Sequence, residues 1–280
     1  MTLQVQWSTF QYYPTFSDVT CTELVNWMEA TSAEIQYNKE WIYHREHRTV
    51  ALSGVTIRNQ LFTLLDVNED ICELAIRSMR TVMTDCMANQ NSAVPERHFL
   101  SPEFSKFVFH GESPKSSPLL QLLFGGPFIS YDISHCKMFV CVAELKGSWC
   151  CYVWDLDKTR LTIFYPSAGT SDDETVKNRH LHSVFHLHPA LMCCLNRYCR
   201  IKTGDLFCWH IVLYRNEVAT TSRYGSGLWA LYFACGFDGD KISTPLNEIS
   251  MKKFRDKILY GILSLPNNEG TLPSIIFQSS

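Results

Sequence analysis

No stretch of the 280-residue chain comes near the roughly 18 uninterrupted apolar residues that a membrane-spanning helix requires. Nor is there an excess of either charge: 25 Lys+Arg face 28 Asp+Glu, which leaves a formal net charge of −3. A nucleic-acid binder driven by bulk charge is thereby disfavoured, and neither a nucleic acid nor a membrane is expected as partner. The N-terminal stretch MTLQVQWSTFQYYPTF has no basic segment followed by an apolar one, and no arginine of the kind a mitochondrial presequence carries. Without an export signal, the twelve cysteines read as reduced thiols in the cytosol or nucleus. The chain shows no internal repeat and no low-complexity tract. What it does have is 46% hydrophobic and 13% aromatic residues, enough to bury a sizeable core and to exclude a disordered polymer.

The ends of the chain read as helical. From Thr20, TCTELVNWMEATSAEI opens with Thr20 and Glu23 at capping-box spacing and sets Leu24, Trp27 and Met28 on one face. The charged stretch YNKEWIYHREHRT (37–49) reads as a link, dividing an N-terminal helical extension (1–48) from a main domain (49–275). Helical spacing returns around Ile57, Leu61 and Leu64, and again at Ile71, Leu74, Ala75, Met79 and Val82. Residues 92–127, rich in Pro, Ser and Gly, are expected to be irregular. The C-terminal stretch SMKKFRDKILYGILSL reads as a helix with Met251, Phe254, Ile258 and Ile262 inward.

The middle of the chain reads as strands. MFVCVAEL (138–145), SWCCYVWDL (148–156) and LTIFYP (161–166) are short runs dense in Val, Phe, Tyr and Trp, separated by turn-like residues. Their near-continuous apolarity predicts an antiparallel meander with both faces covered. Helix is expected near Leu187 to Leu195, a further strand at FCWHIVLY (207–214), and then a Gly-Ser-Gly turn feeding a helix with Leu228, Leu231, Tyr232 and Cys235 on one side.

Two kinds of chemistry can be weighed from spacing alone. His180, His182, His186, His188, Cys193, Cys194, Cys199 and Cys208 fall within 29 positions, yet no Cys-x2-Cys pair is present and Pro189 interrupts the histidines. No metal and no cofactor is expected. Gly125-Gly126-Pro127 has no helix start behind it, so it does not form a phosphate loop.

The order of a Trp-bearing strand, a turn, a strand ending in Tyr-Pro, a later strand and a Gly-Ser-Gly helix start is the informative constellation. Across SWCCYVWDLDKTRLTIFYPS, TTSRYGSGLWALYFACGFDG and VALSGVTIRNQLFTLLDVNEDICELAIRSM the sequence resembles the ubiquitin-like-protein proteases. These are the SUMO-deconjugating cysteine proteases, here in the divergent form carried by plant genes and transposable elements. The resemblance covers about residues 49–265. It implies an α+β, papain-like fold: a small, mostly antiparallel sheet flanked by helices, with the helix that starts at Ser226 packed against it.

Matched residue by residue, the family's catalytic His falls on Ser148 and its Asp on Tyr165, 17 residues later. The oxyanion-hole Gln falls on Thr220, and the nucleophilic Cys on Ser226, between Gly225 and Gly227. Of two Trp side chains that clamp the modifier's tail in the family, one matches Trp149 and the other falls on Val67. A serine hydroxyl without an adjacent base is a weak nucleophile, and a missing oxyanion donor removes a further ~10²–10³ in rate. The resemblance therefore implies a pseudoprotease that acts by binding protein, either a ubiquitin-like modifier or its conjugate, or an unrelated partner. Two alternatives are an active isopeptidase with a relocated nucleophile such as Cys150 or Cys151, and a decoy module that works through residues 1–48.

Overall fold

A computed structural model describes residues 34–41, 46–53, 61, 66–89, 97–111, 120–125, 129, 131–165, 173–202, 208–215, 225–243 and 246–265. The expected helix from Thr20 and most of the pattern around Ile57 to Leu64 lie outside these residues.

The meander expected from 138–165 forms the centre of a five-stranded sheet. Strands β4 (Met138–Leu145), β5 (Ser148–Asp155) and β6 (Arg160–Tyr165) are antiparallel neighbours. The edge strands, β3 (Arg97–Leu100) and β7 (His210–Arg215), pair in parallel with β4 and β6 respectively, giving the order β3-β4-β5-β6-β7. The β4–β5 turn is a two-residue loop, Lys146-Gly147, with φ of 51° and 77°. Both values are positive, as a type I′ hairpin requires, so glycine at 147 relieves a conformation that a side chain resists.

Alternation along β5 explains why its apolar run is unbroken. Trp149, Cys151 and Val153 join the core beneath three helices: α1 (Glu69–Asn89), α5 (Ser226–Gly236) and α6 (Glu248–Leu263). Cys150, Tyr152 and Trp154 point the other way, into a second core with α2 (Pro102–Phe109), α3 (Gln121–Gly125) and α4 (Asp173–Cys194). A sheet covered on both faces needs apolar residues at every position. The same logic applies to α5, whose residues Gly227 to Gly236 are all buried, not one side only. Its Phe233 stacks on Phe164 of β6 at 4.9 Å. The stripe Ile71, Leu74, Ala75 and Met79 is fully buried on α1, as are Met251, Phe254, Ile258 and Ile262 on α6. Asn68 starts α1 by accepting the Ile71 N–H at 2.9 Å, and Asn247 does the same for Ser250 at the start of α6.

Three sequence expectations are corrected. Residues 37–41 and 46–49 of the stretch read as a link lie on two paired antiparallel strands, β1 (Glu34–Trp41) and β2 (Glu46–Ser53), the second of which runs through residue 48. Residues 92–127 hold β3, α2 and α3. Ser101 accepts the Glu103 N–H at 3.1 Å as an N-cap and Pro102 occupies the first helical turn, so the residues read as breakers are a helix start. Helix α4 begins at Asp173, well before Leu187, and passes through Pro189 to a π turn at Leu195–Cys199. Pro189 and Phe185 both face solvent, where water can take the carbonyl that the missing proline N–H leaves free.

Candidate functional site

Helix α5 starts with Ser226, and the first N–H groups of any helix lack intrahelical partners. Here they point at a carboxylate from the loop that precedes α1. Asp66 Oδ2 accepts the Ser226 N–H at 3.0 Å, and Oδ1 accepts the Gly227 N–H at 2.7 Å. The same Oδ1 accepts the Val67 N–H at 2.9 Å, which pins the side chain to its own loop. A negative group at the positive end of a helix is favoured by the aligned peptide dipoles as well as by these bonds.

The Ser226 hydroxyl is engaged on both sides. It donates to Asp66 Oδ2 and accepts the backbone N–H of Trp149 at 2.9 Å. Trp149 is fixed in turn by its indole N–H, which donates to the Val67 carbonyl at 2.9 Å. Three segments distant in sequence, 66–67, 148–149 and 225–227, thus close on one another at the mouth of α5.

Close approach explains both glycines around Ser226. A Cβ on Gly227 would lie 2.1 Å from Val67 Cγ2 and 2.9 Å from Asp66 Oδ1, and one on Gly225 would lie 2.7 Å from Asp66 Oδ1. Side chains at these positions would evict the carboxylate.

The other sequence-selected residues are placed as follows. Ser148 is exposed at the first position of β5, next to the bonded Trp149. Tyr165 ends β6 with its ring on the opposite sheet face, 5.0 Å from the His180 ring in the second core. Val67 is buried against Gly227 and Trp149, and Trp149 itself is buried. Thr220 lies outside the described residues. Asp66 was not singled out by sequence. Beside Asn68 it looks like a local turn or cap residue, and the only hint of more is its place directly before Val67.

Among the described residues, no imidazole hydrogen-bonds Ser226. His210 pairs with Arg160 at the other end of β6 from Tyr165, about 16 Å away at a rise of ~3.3 Å per residue. His135 is exposed, 3.6 Å from Asp132. His98 and His180 are buried in the second core, where loss of water pushes His98 well below its ordinary range and His180 down to about 4.

The thiols near the site are poorly disposed to ionise. Burial pushes Cys150 up to about 12 and Cys151 well above its ordinary value, with neighbouring thiols adding to the latter shift. Cys235 is fully buried in the first core, and Cys208 is exposed but precedes β7 and is not part of the strand. In the His/Cys-rich stretch, His180 and His188 point inward, whereas His182 and His186 sit one turn apart on exposed α4 positions, their rings 4.9 Å apart. Among the described residues no three His, Cys, Asp or Glu side chains are grouped to hold a metal ion, and no helix is long and apolar enough to cross a membrane.

Comparison with solved structures gives the fold. The C-terminal protease domain of yeast Ulp1, solved in complex with Smt3, the yeast ortholog of SUMO, aligns over 90% of this chain and 97% of its own, with a TM-score of 0.58 and 11% identity. The Ulp1-like SUMO protease catalytic domain of Chaetomium thermophilum aligns over 93% of each chain, with a TM-score of 0.53 and 13% identity. A Ulp1 structure with its catalytic cysteine oxidised to a sulfenic acid gives a TM-score of 0.59 at 10% identity. No protein-family model matches the chain, and no curated protein matches it in sequence. The architecture is therefore that of the Ulp1-type SUMO-protease domain, an α+β papain-like fold, at an identity that carries fold and not activity.

Proposed function

We propose that the chain is a pseudoprotease: a SUMO-protease fold that holds a ubiquitin-like modifier, or a protein conjugated to one, without cutting it. The observation that carries this reading is the occupation of Ser226. Its hydroxyl proton goes to Asp66, its lone pair takes the Trp149 N–H, and no imidazole bonds to it among the described residues. A carboxylate is a far weaker base than the imidazole of a hydrolytic triad, and the lone pairs of this one are already engaged by three backbone N–H groups. The amides that could cradle a developing oxyanion are also committed to Asp66. The choice of partner is supported by the fold likeness to a domain solved with a SUMO ortholog. Ten cysteines, among them Cys72, Cys150, Cys151 and Cys208, are outside any disulfide, which fits a reducing intracellular setting.

The relocated-cysteine alternative draws no support from Cys150 and Cys151, because both are buried with thiols held in the protonated form. The decoy alternative rests on residues 1–48, most of which lie outside the described residues.

A single-turnover assay tests the proposal. With protein in excess over a SUMO-linked conjugate, no modifier should be released over hours, while isothermal titration should register binding of the same conjugate. Release that disappears on replacing one cysteine or Ser226 overturns the inactive reading, and absence of any binding overturns the choice of partner.

A further inference from the structure

The mouth of α5 is a place where a chain end or a carbonyl could dock, since Ser226 N–H, Gly227 N–H and the Ser226 hydroxyl converge there. In this protein all three donors are taken by Asp66. The fit is built from several directions: Gly225 and Gly227 leave no Cβ in the carboxylate's way, Val67 N–H holds Oδ1 from its own side, and the Trp149 indole ties the loop down through the Val67 carbonyl. A ligand carboxylate or acyl oxygen seeking the same amides would meet a like charge at hydrogen-bond distance, with no free donor left to stabilise it.

We infer that Asp66 is an intramolecular plug, an autoinhibitory contact that occupies the helix mouth with the chain's own carboxylate and keeps peptide C-termini and acyl groups out. This deepens the binding reading proposed above: whatever partner the chain holds is gripped without a chain end at Ser226. The side chain belongs to the loop 66–68, which is joined to the body by the bonds just named, so the contact is separable by one substitution.

The test uses the full chain and a small probe, the peptide acetyl-Gly-Gly with a free carboxylate, followed by amide resonances of Val67, Trp149, Ser226 and Gly227 in two-dimensional NMR. A peptide, not a folded modifier, is chosen so that the result does not depend on whether the protein binds a modifier. In the wild type these four resonances are expected to stay in place as peptide is added. In Asp66→Ala they should move and saturate, with a Kd of about 1 mM for so small a ligand. Should that variant fail to fold, Asp66→Asn serves the same comparison, because it keeps the volume but presents an NH2 where Ser226 needs an acceptor. Saturable shifts at Ser226 and Gly227 in the wild type overturn the inference. So does a folded Asp66 variant whose resonances ignore the peptide, since the exclusion would then lie elsewhere.

Discussion

Asp66 and Ser226 are bonded side chain to side chain across 160 residues of sequence, and the same carboxylate also receives the first two amides of the helix that Ser226 opens. The pair joins the loop before α1 to the helix at the centre of the first core. It therefore ought to matter for stability as well as for what the cleft admits. Asp66→Ala removes a helix cap and strands at least one donor, a change expected to cost about 1–3 kcal/mol. Ser226→Ala leaves the Trp149 N–H without its acceptor and should cost about 1–2 kcal/mol. Because both changes break the same contact, the double variant should lose less than the two single losses added together. Urea denaturation of the four proteins measures this, and additive losses would mean that the two side chains do not act as a unit.

The glycines can be tested against each other. A methyl at Gly227 has nowhere to go, with Val67 Cγ2 2.1 Å from the added Cβ, whereas one at Gly125 meets nothing within 4 Å. Gly227→Ala is expected to destabilise by about 2–3 kcal/mol through overpacking and displacement of Asp66, and Gly125→Ala to be near neutral. Val67→Ala in the Gly227→Ala background should recover part of the loss by vacating the clash. Thermal unfolding monitored by circular dichroism distinguishes these outcomes.

Thiol accessibility gives a third check. Cys208 is exposed, while Cys72, Cys136, Cys141, Cys150, Cys151, Cys194 and Cys235 are buried. Iodoacetamide at neutral pH should mark Cys208 within minutes, and Cys150 and Cys151 only in denaturant, because burial pushes the former up to about 12 and the latter well above its usual range. Peptide mass spectrometry reads the result. Rapid native labelling of Cys150 or Cys151 would revive a relocated nucleophile.

Much of this fold was readable from sequence because its determinants are local. The runs 138–145, 148–156 and 161–166 are apolar at nearly every position, and only a sheet covered on both faces asks for that. The stripe on α1 and the inward residues of α6 follow helical spacing in the same way. Elements that failed to show are those where one residue type serves two purposes. Ser101 and Pro102 have the composition of a loop but cap and start α2. Glu40 and Arg48 read as parts of a link and lie on paired antiparallel strands. At the site, the family resemblance draws attention to Ser226, but the partner of that serine cannot be read from the sequence. Asp66 has the sequence context of a turn residue, and only the folded chain brings it to a helix whose first residue is 160 positions away.

Acidic pH should weaken the protein by a route that can be assigned. His180 donates to or accepts from the Tyr152 hydroxyl at 2.9 Å and lies against the Tyr165 ring in the second core. Burial lowers its pKa to about 4, with the neighbouring Arg179 adding to the effect. Its ordinary value is near 6.5, so between these two values the unfolded chain takes up a proton that the folded chain refuses. The stability associated with neutral His180 is complete above pH ~6.5 and is lost progressively as pH falls towards 4, by at most about 3 kcal/mol at 1.36 kcal/mol per pH unit. His98, also buried and shifted downward by loss of water and by Arg80, works in the same direction. Replacing His180 with Gln, which keeps a polar partner for Tyr152 but cannot take up the proton, should flatten the pH dependence of urea midpoints between pH 6.5 and 4 while leaving His98's share. An unchanged slope in His180→Gln would place the acid sensitivity elsewhere in the molecule.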